Sequence, residues 1–235
     1  MLSRRLLRIK AVKALYSHFK SESDPLIVSE KNLMLSIDKT YYPGRRAFYE
    51  LTPVKKHNIV MLGNSLTERG LWGEYFQPAY VLNRGIGGDC VSGMIARLET
   101  ILSGKPKAMF IMAGTNVLIF SKTSYEKLLE QYERMLDIIA RESPRTKVYI
   151  QSLLPLVEDR QDYFKGKNKR IAGFNAVLRE MAERRNLPYI DIWSAIQNNG
   201  ALPEEFTHDG IHLTGPGYAV WVETLRPYMK PYMKK

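Results

Sequence analysis

Five short apolar runs, each too short for a helix, recur along this chain with longer helix-period segments between them. They are 58–62 (NIVML), 80–83 (YVLN), 108–112 (AMFIM), 147–152 (KVYIQS) and 189–192 (YIDI). β-Branched and aromatic residues dominate, and polar or glycine residues bound each run. Strands covered on both faces have this pattern. The intervening segments carry apolar residues at spacings of three and four. Residues 91–102 place Val91, Ile95, Leu98 and Leu102 on one face, with Asp89 upstream as an N-cap. Residues 124–142 align Leu128, Tyr132, Leu136 and Ile139, and residues 168–186 align Ile171, Phe174, Leu178 and Met181. In "TGPGYAVWVETL", Pro216 stands in a first helical turn, ahead of a stripe of Tyr218, Trp221 and Leu225. Strands alternating with helices require crossover connections, which are right-handed, so helices cover both faces of a parallel sheet. The expected fold is therefore α/β, with a flavodoxin-like five-stranded parallel sheet of order 2-1-3-4-5. In such sheets ligands bind at the carboxyl ends of the strands.

The periodic pattern begins at residue 58. Residues 20–57 are less regular and read as an extension wrapping the domain. The expected division is thus an N-terminal basic amphipathic helix and extension, 1–57, packing on a main domain, 58–235. The chain of 235 residues has a formal net charge of +11. Arg4, Arg5, Arg8, Lys10, Lys13 and Lys20 stand in the first twenty residues without an acid, and Lys230, Lys234 and Lys235 close the chain. The body between is close to charge balance and has no basic stripe interleaved with aromatics, so nucleic acid is not an expected partner. Leu2, Leu6, Ile9, Val12, Tyr16 and Phe19 give residues 1–20 an apolar face. That face either packs on the domain or makes a peripheral contact with an anionic membrane. Basic residues interrupt this segment too often for a secretory signal, and no run approaches a membrane span, so the expected location is the cytoplasm. The single cysteine, Cys90, excludes an internal disulfide and a four-cysteine zinc site.

Four stretches carry residues suited to acyl transfer, which needs a nucleophile, a base, an orienter for the base and donors for an oxyanion. Ser65 follows the first strand in "LGNSLT", as a nucleophile or as a turn or cap serine. It lies outside a G-x-S-x-G elbow. Asp209 and His212 in "DGIHLTGPGY" are three residues apart, a spacing that puts both on one face of a helical turn. The carboxylate can then hold one imidazole nitrogen while the other takes a proton. His57 and His208 lack such an acid and read as structural. In "NRGIGGD", Gly88 offers a backbone N–H that no side chain shields, or simply a turn glycine. In "AGTN", Asn116 offers an uncharged N–H₂ donor or a turn asparagine. The glycines at 85, 87 and 88 lack the full spacing of a dinucleotide fingerprint. Residues 155–170 are long and polar for a loop and suit a lid.

In their order, these four blocks resemble the SGNH (GDSL) hydrolase family over roughly residues 58–225, and "NRGIGGD" resembles its platelet-activating-factor acetylhydrolase-like and bacterial acetylesterase branch. The resemblance implies a three-layer α/β/α sandwich and a serine esterase that uses neither metal nor organic cofactor. Ser65 would be the nucleophile, His212 the base and Asp209 its orienter. The N–H groups of Ser65 and Gly88 and the side chain of Asn116 would hold the oxyanion. Asn64 and Val117 depart from the family pattern, which usually has Asp at both places. The substrate implied is a small ester, acetylated on a carbohydrate or lipid-like alcohol. Two other readings remain: a lysophospholipase-like enzyme recruited to a membrane by residues 1–20, and a binding module without turnover.

Overall fold

A computed structural model of the chain describes residues 41–233. The basic helix expected at 1–20 lies outside the described residues. Five strands, β1 (Ile59–Gly63), β2 (Val81–Gly85), β3 (Ala108–Met112), β4 (Lys147–Gln151) and β5 (Tyr189–Ile190), form one parallel sheet in the order β2-β1-β3-β4-β5. This is the expected order. Every residue of β1 and β3 is buried, so helices cover both faces of the sheet's centre. The helices are α1 (Tyr42–Glu50), α2 (Ser65–Glu68), α3 (Trp72–Tyr75), α4 (Val91–Ala96), α5 (Leu98–Leu102), α6 (Thr115–Phe120), α7 (Tyr125–Glu142), α8 (Lys167–Arg184), α9 (Ile192–Ile196) and α10 (Gly215–Met229). Helices α7 and α8 turn the predicted stripes inward: Leu128, Tyr132, Leu136 and Ile139 are buried, as are Ile171, Phe174, Leu178 and Met181. Among the described residues no helix is long and apolar enough to cross a membrane.

The helix expected over 91–102 is two helices, broken at Arg97. The guanidinium turns inward, donating to the Asp89 carboxylate at 2.9 Å and to the Gly63 carbonyl at 3.2 Å. Asp89 is consequently not the N-cap; Cys90 holds that position, and its N–H donates to Asp89 Oδ1 at 2.9 Å. Asp89 and Arg97 are each only 2% exposed. Losing one member of such a buried pair costs about 3–5 kcal/mol, because a charge is left unmatched. Periodicity misses the break because the ion pair outweighs one residue of helix continuity.

Aromatic packing fixes the last helix against the first strand's turn. Trp221 stacks on Tyr218, and Trp72 meets Trp221 edge-on with centroids 4.9 Å apart. The polar tips of these residues are satisfied: Tyr218 Oη donates to the Leu66 carbonyl at 2.6 Å, Trp72 Nε1 to the Thr67 carbonyl at 2.7 Å and Trp221 Nε1 to Gln151 Oε1 at 2.8 Å. Helix α10 is thereby docked to α2 and β4 together. Helix α1 buries no residue fully and attaches by hydroxyl groups, Tyr42 Oη to the Gly93 carbonyl at 2.7 Å and Tyr49 Oη to the Gly85 carbonyl.

The segment 155–170 is anchored rather than free. Leu156, Val157 and Phe164 are buried, the Val157 N–H donates to the Gly210 carbonyl at 2.9 Å, and α8 begins at Lys167. Its apolar residues face the core, where the sequence pattern suggested a polar lid.

Candidate active site

Strand β1 ends at Gly63, and the chain turns at once into α2. Asn64 is the N-cap, buried, with its side-chain oxygen accepting the Leu66 N–H at 3.0 Å. An asparagine carbonyl makes this bond as a carboxylate would, so the cap survives the departure at this position. Ser65 is then the first residue of α2, half-buried at the carboxyl end of β1. Helix α2 lies tight against β2. A Cβ at Gly85 would stand 2.2 Å from the Glu68 backbone nitrogen, so only glycine permits this approach.

His212 Nε2 is 2.9 Å from Ser65 Oγ, and His212 Nδ1 is 2.7 Å from Asp209 Oδ2. The expected pairing of residues 209 and 212 is present, but a helical turn does not produce it. Both residues lie in the loop before α10. Asp209 Oδ1 accepts the N–H groups of Ile211 (3.2 Å) and His212 (2.8 Å), which curls the loop around the carboxylate. Thr207 closes the loop: it bridges to Leu213, its hydroxyl donates to the His212 carbonyl at 2.8 Å, and the Gly210 N–H donates to its Oγ1 at 3.0 Å. Burial works to raise the Asp209 carboxyl, but the hydrogen bonds and charge of His212 outweigh it and hold the group well below the usual carboxylate range. Asp209 is therefore an anion at any ordinary working pH. His208 is exposed and His57 packs edge-on against Tyr80, so neither joins the cluster.

The remaining predicted residues follow β2 and β3, the strands on either side of β1. Gly88 has φ +79°, a conformation a side chain rarely adopts. Asn116, in the first turn of α6, donates from Nδ2 to the Asp89 carbonyl at 2.8 Å. That bond uses one N–H of the amide and fixes its plane, leaving the second N–H for another acceptor. Val117 is buried and carries no polar group to orient Asn116; the Asp89 carbonyl does so. Cys90 is buried, 3.1 Å from the Ser92 hydroxyl. Among the described residues no group of three or more His, Cys, Asp or Glu could hold a metal ion.

Sequence reasoning missed the residues around these donors. Arg97 and Asp89 tie the loop after β2 to the end of β1. Glu68, three residues after Ser65, accepts the Gly87 N–H at 2.9 Å. The spacing of Glu68 from Ser65, one helical turn, was the only available signal. A serine hydroxyl hydrogen-bonded to an imidazole, an ionised carboxylate behind that ring and neutral donors on two neighbouring loops form an arrangement able to attack an acyl carbon and stabilise an oxyanion.

The family model of the GDSL-like lipases and acylhydrolases matches residues 61–220. The platelet-activating factor acetylhydrolase IB subunit alpha2 of Rattus norvegicus is 28% identical over 173 residues, 70% of this chain and 72% of that protein. Among solved structures, a GDSL-like lipase from Bacteroides thetaiotaomicron superposes with a TM-score of 0.71 at 21% identity, covering 81% of this chain and 98% of that one. An acetylxylan esterase from Geobacillus stearothermophilus gives 0.58 at 17% identity, covering 75% and 95%. These two likenesses are of fold.

Proposed function

The chain belongs to the GDSL-like lipase/acylhydrolase family and is a carboxylic ester hydrolase, and on that footing we propose that it cleaves short acyl esters, acetyl above all, through Ser65, His212 and Asp209. The observation that carries this reading is the unbroken contact series Ser65 Oγ, His212 Nε2, His212 Nδ1, Asp209 Oδ2, with separations of 2.9 Å and 2.7 Å at its two ends.

His212 Nε2 accepts the Ser65 proton as Oγ attacks the acyl carbon. Asp209 keeps the proton on Nδ1 and stabilises the imidazolium that results. Negative charge gathers on the former carbonyl oxygen. The N–H of Ser65, which has no acceptor inside its own helix, the N–H of Gly88 and the second N–H of Asn116 converge on it. His212 then gives its proton to the departing alcohol. Water repeats the cycle on the acyl-serine, with His212 again as base, and releases the acid.

Two observations support a short acyl group. Segment 155–170 borders the loop of Asp209 and His212, yet it sends Leu156, Val157 and Phe164 into the core and leaves Asp159, Arg160, Gln161, Asp162 and Lys165 outside. Each methylene contributes about 0.8 kcal/mol only where an apolar wall receives it. In addition, two proteins similar to this chain are named for acetyl groups, a platelet-activating factor acetylhydrolase subunit and an acetylxylan esterase. The alcohol proposed here is accordingly a carbohydrate or lipid-like one.

The test is kcat/KM across p-nitrophenyl esters of two, four, eight and twelve carbons, with acetylated sugars alongside and fluorophosphonate labelling of the wild type and Ser65→Ala. Activity greatest at two carbons, and labelling lost in Ser65→Ala, is expected. A profile rising to twelve carbons refutes the short-acyl reading, and labelling that survives in Ser65→Ala refutes the nucleophile.

A further inference from the structure

Glu68 sits between Ser65 and the segment that precedes the sheet. Its side chain is 12% exposed. Oε2 accepts the Gly87 N–H at 2.9 Å, while Oε1 accepts the Tyr41 hydroxyl at 2.6 Å and stands 2.6 Å from Arg45 Nε. Tyr41 is the N-cap of α1 and Arg45 lies within that helix, where it also donates from Nη2 to the Tyr49 hydroxyl at 3.1 Å. Tyr49 in turn donates to the Gly85 carbonyl at the end of β2. The loop 86–88 is thus held from two sides by a segment outside the sheet. The space is close: a Cβ at Gly87 would meet Glu68 Oε2 at 3.1 Å, Tyr41 Cε1 at 3.4 Å and Ser65 Cβ at 3.9 Å.

We propose that Glu68 is a positioning residue that aims the Gly88 N–H at the oxyanion, and that Tyr41 and Arg45 hold Glu68 in place, so that α1 sets the turnover of the site. The physical reason is the backbone of the loop. Gly88 adopts φ +79°, a conformation that glycine leaves without cost. The Asp89 N–H donates to the Ile86 carbonyl at 3.1 Å and closes the turn around residues 87 and 88, while the Ile86 N–H ties it to the Gly63 carbonyl at 3.1 Å. The bond from Gly87 to a carboxylate adds the restraint nearest the Gly87–Gly88 peptide, since charge-assisted hydrogen bonds are shorter and stronger than neutral ones. The carboxylate reaches Gly87 because Tyr41 and Arg45 occupy its other oxygen. Burial, with the hydrogen bond to Glu68 next, pushes the Tyr41 hydroxyl upward, so it stays a donor.

This inference rests on the serine-esterase reading, and the experiment separates the two. The full chain is compared with Ser65→Ala, Glu68→Ala, Glu68→Gln and Tyr41→Phe. The readouts are kcat, KM, thermal midpoint and the inhibition constant of an alkyl boronic acid, whose tetrahedral adduct places an oxygen in the oxyanion position. Glu68→Ala is expected to lower kcat about ten- to a hundredfold with KM little changed, the cost of a donor displaced by a fraction of an ångström to an ångström. Boronate affinity should fall by a similar factor. Glu68→Gln keeps an oxygen for the Gly87 N–H and should recover most of the loss. Tyr41→Phe should lower kcat several-fold without touching the loop directly. Activity surviving in Ser65→Ala overturns the esterase reading itself. Activity lost in Ser65→Ala with kcat within twofold of wild type in Glu68→Ala overturns only the role of Glu68. Loss of kcat in Glu68→Ala with boronate affinity intact overturns it equally. Should Glu68→Ala fail to fold, Tyr41→Phe with wild-type kcat and boronate affinity refutes the link to α1.

Discussion

Gly85→Ala reaches Ser65, the proposed nucleophile, without altering any side chain of the proposed site. The new Cβ would stand 2.2 Å from the Glu68 nitrogen, 2.6 Å from its Cα and 2.7 Å from the Thr67 carbonyl carbon. Non-bonded heavy atoms rest about 3.5 Å apart or more, so α2 must move off β2 by about 1 Å. All three atoms are backbone, so no side-chain rotation relieves the clash. Ser65 opens this four-residue helix, and its Oγ is 2.9 Å from His212 Nε2. A shift of that size carries the pair beyond hydrogen-bond range, and a misplacement of about 1 Å costs on the order of 10²-fold in rate. The overpacking itself costs about 1–3 kcal/mol, a fall in Tm of roughly 2–12 °C for a chain of this size. The assay is kcat/KM on p-nitrophenyl acetate, corrected by active-site titration, beside thermal denaturation. Gly44→Ala is the control, because a Cβ there meets nothing within 4 Å. It should keep full activity and an unlowered Tm. Gly85→Ala retaining more than a third of wild-type kcat/KM would show that the α2–β2 contact does not position Ser65.

Asn116→Ala should lower kcat about 10²–10³-fold with KM nearly unchanged, as for a donor used chiefly in the transition state; a change confined to KM in steady-state assays would make it a ground-state contact. Tyr218→Phe leaves the buried Leu66 carbonyl unpaired and should cost about 1–3 kcal/mol in denaturant titration, with a several-fold loss of kcat as α10 loosens from α2; unchanged stability would deny that this bond docks the helix. The Asp209 carboxyl is depressed in the folded chain, so its contribution to stability is complete above its unfolded value near 4 and is lost as pH falls toward the folded one. Thermal midpoints of wild type and Asp209→Asn should therefore differ by a constant amount above about pH 5 and converge in acid; convergence at neutral pH would contradict that sign.

Most of the fold was legible because buried parallel strands and amphipathic helices announce themselves by period. NIVML and AMFIM are apolar from end to end, and both prove to be central strands with every residue buried. Ser65, Gly88 and Asn116 were legible for a related reason: each follows a strand, so the topology puts all three at one edge. What was illegible depends on partners far away in sequence. Arg97 reads as one residue of a continuing helix until Asp89 and the Gly63 carbonyl are brought beside it. Glu68 reads as a solvated acid until the Gly87 N–H and the Tyr41 hydroxyl arrive. The pairing of Asp209 with His212 was found through the wrong local geometry. The loop that achieves it is held by Thr207 and by the Ile211 and His212 N–H groups donating to the Asp209 carboxylate, outside any helical register.

The hydrogen bond between His212 and Ser65 joins residues 147 positions apart. Ser65, Gly88 and Asn116 all lie on the loops after the first three strands, whereas His212, the proton acceptor in the function proposed above, rides on the loop before α10. That helix works as a latch. Under the proposed mechanism, a chain with α10 lifted from the sheet keeps Ser65, Gly88 and Asn116 in place but has nothing to take the serine's proton. Hydrolysis thus reports whether one helix is seated, while far-ultraviolet ellipticity reports the whole fold. Mild denaturant that frees α10 first should silence turnover before the sheet itself gives way.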